Sequence, residues 1–253
     1  TLVYDSSFAG WLTAVFEVYE YKFEDVHIVP SDQRQDSLFG KTHLVATCEQ
    51  KAQRVWQGLR QRVSDRATTQ LYRAFLSELK GMENTLLQYV QYAFSRKVSM
   101  EYDYSHPAVL FVTDTARKVH REKHRMEAFV RFQQTKDNLY YAFIDPDFNV
   151  LPLLQDHFEK RYADQLWMIY DIKRKHGLYY DLLETSRVEV FFNEVPGRGA
   201  RLDSINDEKE PLYQQLWQQY FDSVNIKARK NTKLHVQHMP LRYWKFLPEK
   251  QSR

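Results

Sequence analysis

One cysteine, Cys48, in 253 residues excludes an internal disulfide and a cysteine-based zinc cluster, and it is the usage expected in a reducing compartment. Glycine is also scarce, at seven, which argues against a glycine-cradled phosphate loop. No G-x-S-x-G, Walker or dinucleotide fingerprint occurs, and "GRGA" at Gly197 is too short to count. No run approaches the roughly 18 apolar residues of a membrane span. The opening "TLVYDSSFAGWLTAVFEVYEYK" lacks the charged start of a signal peptide. The expectation is a soluble, cytoplasmic protein without a membrane partner. A formal charge of +3 is too small to argue for a polyanionic ligand by itself, so any such argument must rest on where the cations cluster.

What is plentiful is aromatic surface: 17 Tyr, 16 Phe and 5 Trp. Leu2 to Tyr4 has the pattern of a short strand, and Ser6 or Ser7 caps a helix running to about Tyr21, with Phe8, Leu12, Val15, Phe16 and Tyr19 on one stripe. A second strand is expected from His43 to Thr47. Three helical patterns follow, through Val55 and Leu59, Leu71 and Phe75, and Leu86 and Val90, punctuated by Ser64 or Asp65 and by Gly81. After Phe132 the pattern turns to strands: "LYYAFID", "QLWMIYD", "GLYYD" and "RVEVFF". Val150, Leu154, His157, Phe158 and Arg161 trace a helix between the first two. An acid-rich link, "DSINDEKEPL", leads to a last helix with Leu216, Trp217, Tyr220 and Phe221. The chain is therefore expected to be α+β, a helical N-terminal half packed on a mostly antiparallel, aromatic-rich sheet. It reads as a single domain over 1–253, helical over 1–125 and sheet over 126–195, with a C-terminal helix and basic tail over 205–253.

The segment "ARKVHREKHRMEAFVRFQQ" concentrates cations. At 100° per residue Arg117, His120, Arg121, His124 and Arg125 share one helix face, with Ala116 and Val119 on the other. From Met126 the alternation of Met126, Ala128, Val130 and Phe132 predicts a strand that sets Phe129 beside Arg131. Guanidinium forks bind phosphate oxygens in pairs and an exposed ring stacks on a base, so the combination suits a nucleic-acid strand. The same spacing is compatible with a plain solvated face. His120 and His124 at i,i+4 can offer two imidazoles to a metal, with His157 and Asp145 as candidate further ligands. The order H-x-E-x-H is not the zinc-protease motif, and no metal site is assigned.

Elsewhere, Asp145 and Asp147 in "IDPDFN" are the paired carboxylates that hold Mg²⁺ in phosphodiester chemistry, and equally the residues of a tight turn. Together with His120, His124 and His157 they are the candidate catalytic groups of a metal-dependent enzyme acting on DNA. "YDIKRKHGLYYD" predicts a hairpin whose tip presents Lys173, Arg174 and Lys175. From Asn225 to Arg253 eight cations face Glu249 alone, a surplus larger than the net charge of the chain. "MPLRYWKFLPE" adds Arg242, Tyr243 and Trp244 to that tail.

Taken together, "VYDSSFAGWLTAVFEVYE", "VHREKHRMEAFVRF", "YYAFIDPDFNVLPLLQDHFEKRYADQLWMIYDIKRKHGLYYD" and "MPLRYWKFLPE" resemble a bacterial family described as probable DNA metabolism proteins. Its members are encoded beside a radical SAM protein of DNA modification or repair, and related domains are fused to uracil-DNA-glycosylase-like domains. The resemblance implies a role in DNA repair or modification without naming a reaction, a catalytic residue or a cofactor. The leading expectation is a DNA-binding component that positions nucleic acid for a radical SAM or glycosylase-type partner. Its contacts would come from Arg117, Arg121, Arg125, Phe129, Arg131, Arg161, Lys173, Arg174, Lys175, Arg242, Tyr243 and Trp244. A module that docks on the radical SAM protein through its basic tail is the third alternative.

Overall fold

The computed structural model describes residues 1–33, 41–96, 99–189 and 236–250. The chain divides into two compact units, Thr1–His120 and Arg121–Arg253, and the class is α+β. Among the described residues no helix is long and apolar enough to cross a membrane.

The first unit is built on a three-stranded parallel sheet in the order β2-β1-β3, from β1 (Leu2–Tyr4), β2 (Ile28–Pro30) and β3 (His43–Leu44). Helix α1 (Phe8–Glu20) starts where the Ser7 hydroxyl accepts from the Gly10 N–H at 2.9 Å, satisfying one of the free donors of the first turn. Its apolar stripe is buried: Trp11, Leu12, Ala14, Val15 and Val18 join a core with α2 (Glu49–Arg60), α3 (Asp65–Phe75) and α4 (Met82–Ser95). Trp11 is fully enclosed and donates its indole N–H to the Glu83 carbonyl at 3.2 Å. Each such large side chain removed from water contributes about 1.5–3 kcal/mol. Ser64 caps α3 through the Ala67 N–H, and Gly81 precedes α4 at φ +80°, a conformation that a Cβ resists.

Helix α5 (Pro107–Phe129) passes the division between the units after His120. In the second unit a five-stranded sheet runs in the order β4-β5-β6-β7-β8: β4 (Gln133–Gln134), β5 (Tyr140–Ile144), β6 (Trp167–Asp171), β7 (His176–Tyr180) and β8 (Thr185–Val188). All neighbours are antiparallel except β5 and β6, which α6 (Leu151–Arg161) connects as a parallel crossover. Two 3-10 segments, Leu241–Phe246 and Pro248–Lys250, complete the unit. The β6–β7 hairpin turns at Lys175, φ +57°.

One expectation is corrected here, and one strand is added. The strand predicted from Met126 is the last part of α5, because Val119, Glu122 and Met126 lie on one buried helical face that continues to Phe129. In the first unit β2 joins β1 and β3, a strand of three residues too short for periodicity to reveal. The helix expected around Leu216 and the Gly197 stretch lie outside the described residues.

Candidate nucleic-acid interface

The ends of two helices frame a pocket of about 800 Å³ in the second unit. From α5 come Glu127, Ala128 and, just beyond, Val130, Arg131 and Phe132; from α6 come His157, Phe158 and Arg161. His157 and Arg161 are four residues apart and so share a helix face. Arg161 sits in the last turn of α6, where a cation complements the carbonyl end. Gln134, Tyr140, Tyr162, Gln165 and Pro248 close the wall. The volume falls within the range of small-ligand sites.

Several lining groups are already engaged. The Glu127 carboxylate, only 12% exposed, receives Lys123 Nζ and lies 3.4 Å from Nδ1 of both His124 and His157. Burial by itself pushes this carboxyl up. The hydrogen bond from Lys123 and the charges of Lys123 and His157 outweigh it and hold the group below its ordinary value. Arg131 donates to the Ala128 and Val130 carbonyls at 2.7 and 3.2 Å, capping α5, and pairs with Glu249 at 3.0 Å. Gln134 donates to Asn138 at 3.0 Å.

Three lining groups are differently placed. Arg161 Nε donates to the Tyr162 hydroxyl at 3.4 Å, and no carboxylate among the described residues pairs with it. Among the described residues the Tyr140 hydroxyl and the Gln165 amide have no hydrogen-bond partner, and the Tyr140 ring packs against no other ring. The exposed side of α5 leads to this mouth. Arg121 and His124 are exposed and lie seven and four residues before the exposed, pocket-lining Ala128, on the same face. Arg125, beside them, meets among the described residues only the Gln237 carbonyl, at 3.2 Å.

A second constellation surrounds Glu122, which is 2% exposed on the buried face of α5. Its carboxylate accepts from the Asp147 N–H and the Tyr243 hydroxyl, each at 2.7 Å, and from Arg242 Nη2 at 3.2 Å. Arg242 also pairs with Asp147 at 2.8 Å, and Lys245 with Asp145. Burial raises the Tyr243 hydroxyl, and its bond to Glu122 raises it further. Asp145 and Asp147 thus hold the Leu241–Phe246 3-10 segment to the loop between β5 and α6. Arg174 is spent similarly: it pairs with the fully buried Asp171 at 2.9 Å and donates to the Pro146 and Asp147 carbonyls. Lys173 donates to the Asp147 carbonyl.

Of the residues singled out by sequence, Arg131, His157 and Arg161 line one pocket, and Arg121, His124 and Arg125 approach it along α5. Lys173, Arg174, Lys175, Arg242, Asp145 and Asp147 do not line it. Tyr243 is 1% exposed and packs against Phe129, and Trp244 donates to the Met239 carbonyl beneath Lys250. Arg117, paired with Asp114 at 2.8 Å, and His120 belong to the first unit. Among the described residues no group of three or more His, Cys, Asp or Glu is placed to hold a metal ion. Glu127, Tyr140 and Gln165 were missed by sequence. Only Glu127 carried a signal, its i,i+4 spacing from Lys123, and the strand expected at Met126 hid it. The tail cations Lys227, Arg229, Lys230, Lys233 and Arg253 lie outside the described residues.

A family model described as a domain of unknown function, DUF4130, matches residues 80–249. No curated protein and no solved structure matches the chain.

Proposed function

We propose, from the premise that the chain belongs to the DUF4130 domain family, that its second unit is a nucleic-acid-binding module in DNA repair or modification. In this reading a DNA strand lies along the exposed side of α5 with its phosphates on Arg121 and Arg125, and it reaches Arg161 at the pocket mouth. The observation that carries it is the state of these three guanidinium groups: among the described residues none has a carboxylate partner, whereas Arg131, Arg174 and Arg242 all do. Cations neutralised inside the fold displace no counterions from the phosphates of a strand; unneutralised ones do. The strand would be presented in the cytoplasm to a partner enzyme, the radical SAM protein that the resemblance implies.

Binding of single-stranded DNA, followed by fluorescence anisotropy across a salt series, tests this. Three phosphate contacts predict a slope of log K against log salt of about −2. The double variant Arg121→Glu with Arg125→Glu should bind at least about tenfold more weakly at low salt and with a shallower slope. Undetectable binding by the native protein at low salt, or an unaltered slope in the double variant, rejects the proposal. Partner docking is read separately, as co-purification with the radical SAM protein that survives nuclease treatment.

A second reading, an enzyme, is favoured by one observation: His157 lines the pocket with Nδ1 3.4 Å from the partly buried Glu127 carboxylate. A carboxylate that orients an imidazole in a cleft is a general acid–base arrangement. Processing of an oligonucleotide that is lost in His157→Gln but not in His124→Gln would establish it.

A further inference from the structure

We propose that the pocket between the ends of α5 and α6 takes a single nucleobase turned out of its stack, and so reads one unpaired position of the bound strand. This rests on the strand-binding reading above and adds the class of ligand the pocket accepts.

The argument begins with what the lining has left to offer. Glu127, Arg131 and Gln134 are committed to Lys123, Glu249 and Asn138. Tyr140, Gln165 and Arg161 are not so committed among the described residues, and they differ in kind. Tyr140 opens β5 with a half-buried ring that no other aromatic among the described residues covers, a platform for a planar heterocycle. The Gln165 amide carries two donors and an acceptor, the complement of a base edge. Arg161 holds a guanidinium at the mouth, where the phosphate attached to a base in the pocket must lie.

Size and lining argue against a duplex and a simple phosphate. A cavity of about 800 Å³ accommodates a nucleotide but not a duplex, which can reach only the exposed α5 face. A simple phosphate would use Arg161 and leave the ring and the amide idle. Tyr162 stacks on Phe158 with 9° between their planes, so the aromatic wall beside Arg161 is braced before any ligand arrives. Bracing of this kind lowers the ordering cost of binding.

The experiment compares three probes at equal low salt by competition against a labelled strand: a mixed-sequence single-stranded DNA of about fifteen nucleotides, a strand of equal length made entirely of abasic units, and a free deoxymononucleotide. The abasic strand carries the same phosphates without bases. The expected result is salt-dependent binding of both strands, with the base-bearing one at least about tenfold tighter and the mononucleotide weaker still. Tyr140→Leu and Gln165→Ala should each erase most of the preference for bases while leaving abasic binding and the melting temperature unchanged. Gln165 is half-exposed, so its variant keeps the test available if Tyr140→Leu fails to fold. Equal affinity for the two strands overturns the base pocket and leaves the strand-binding reading intact. A mononucleotide that binds as tightly as the strand also overturns it, by making the pocket a free-nucleotide site. Failure of both strands to bind removes both proposals.

Discussion

Replacing Glu122 tests whether the C-terminal segment is an integral part of the second unit. In Glu122→Ala the Asp147 N–H and the Tyr243 hydroxyl lose their common acceptor. Tyr243 is 1% exposed, so water cannot replace the lost partner without opening the site. The buried Tyr243 hydroxyl left without its acceptor costs about 1–3 kcal/mol, and the N–H of the exposed Asp147, which can turn to water, adds at most about 1 kcal/mol. The Arg242 pair adds little, because that guanidinium is more than a third exposed. Glu122→Gln keeps a carbonyl oxygen for the same two donors and gives up the charge, so its loss should stay near about 1–2 kcal/mol. Urea denaturation gives the two values. Hydrogen exchange locates them: the Tyr243 and Leu247 amides, which donate to the Pro240 and Trp244 carbonyls at 3.1 and 3.2 Å, should lose protection first. A Glu122→Ala protein within about 1 kcal/mol of the native one, with those amides still protected, would refute the assignment of Glu122 as the anchor of the segment.

Burial lowers the pKa of His176 from its ordinary value of 6.5, helped by the nearby charge of Arg187. The unfolded chain therefore takes the proton first, and stability should fall as pH drops below 6.5 and level off beneath the folded value. His176→Gln should flatten that part of the urea midpoint against pH; an identical profile would dismiss the assignment. Gly177→Ala should destabilise by about 1–3 kcal/mol, since the added Cβ would meet the Ile169 carbonyl at 2.9 Å. An unchanged melting temperature would mean that the β6–β7 pair yields at no cost.

The parts of the molecule governed by local periodicity were legible in the sequence. The stripe of α1, its cap at Ser6 or Ser7, the helix start at Ser64 or Asp65 and the aromatic-rich strands β5, β6 and β7 all follow from spacing and side-chain chemistry, and the structure settles the caps on Ser7 and Ser64. The end of α5 was not, for a specific reason. Glu122 occupies a buried position of the helical stripe between Val119 and Met126, so the apolar run looks broken just where an alternating pattern starts. Its partners at 242 and 243 lie some 120 residues further on, and no local window contains both. Arg161 and Arg174 both read as available cations in sequence; Arg174 has Asp171 three residues before it, and only the fold shows that this carboxylate is buried and paired with it. Tyr140 and Gln165 carry no local mark at all, because what sets them apart is that, among the described residues, no ring covers the first and no hydrogen-bond partner takes the amide of the second.

The span between Glu122 and Tyr243 also bears on the order of assembly. The β6–β7 hairpin closes a turn of a few residues and can form as soon as its strands leave the ribosome. The anchor on Glu122 must wait for 121 further residues. Closing so long a loop is entropically slower than closing a short one, although the added equilibrium cost grows only with the logarithm of its length. Until then the growing chain keeps that carboxylate in water, and a segment made some 120 residues later takes it out.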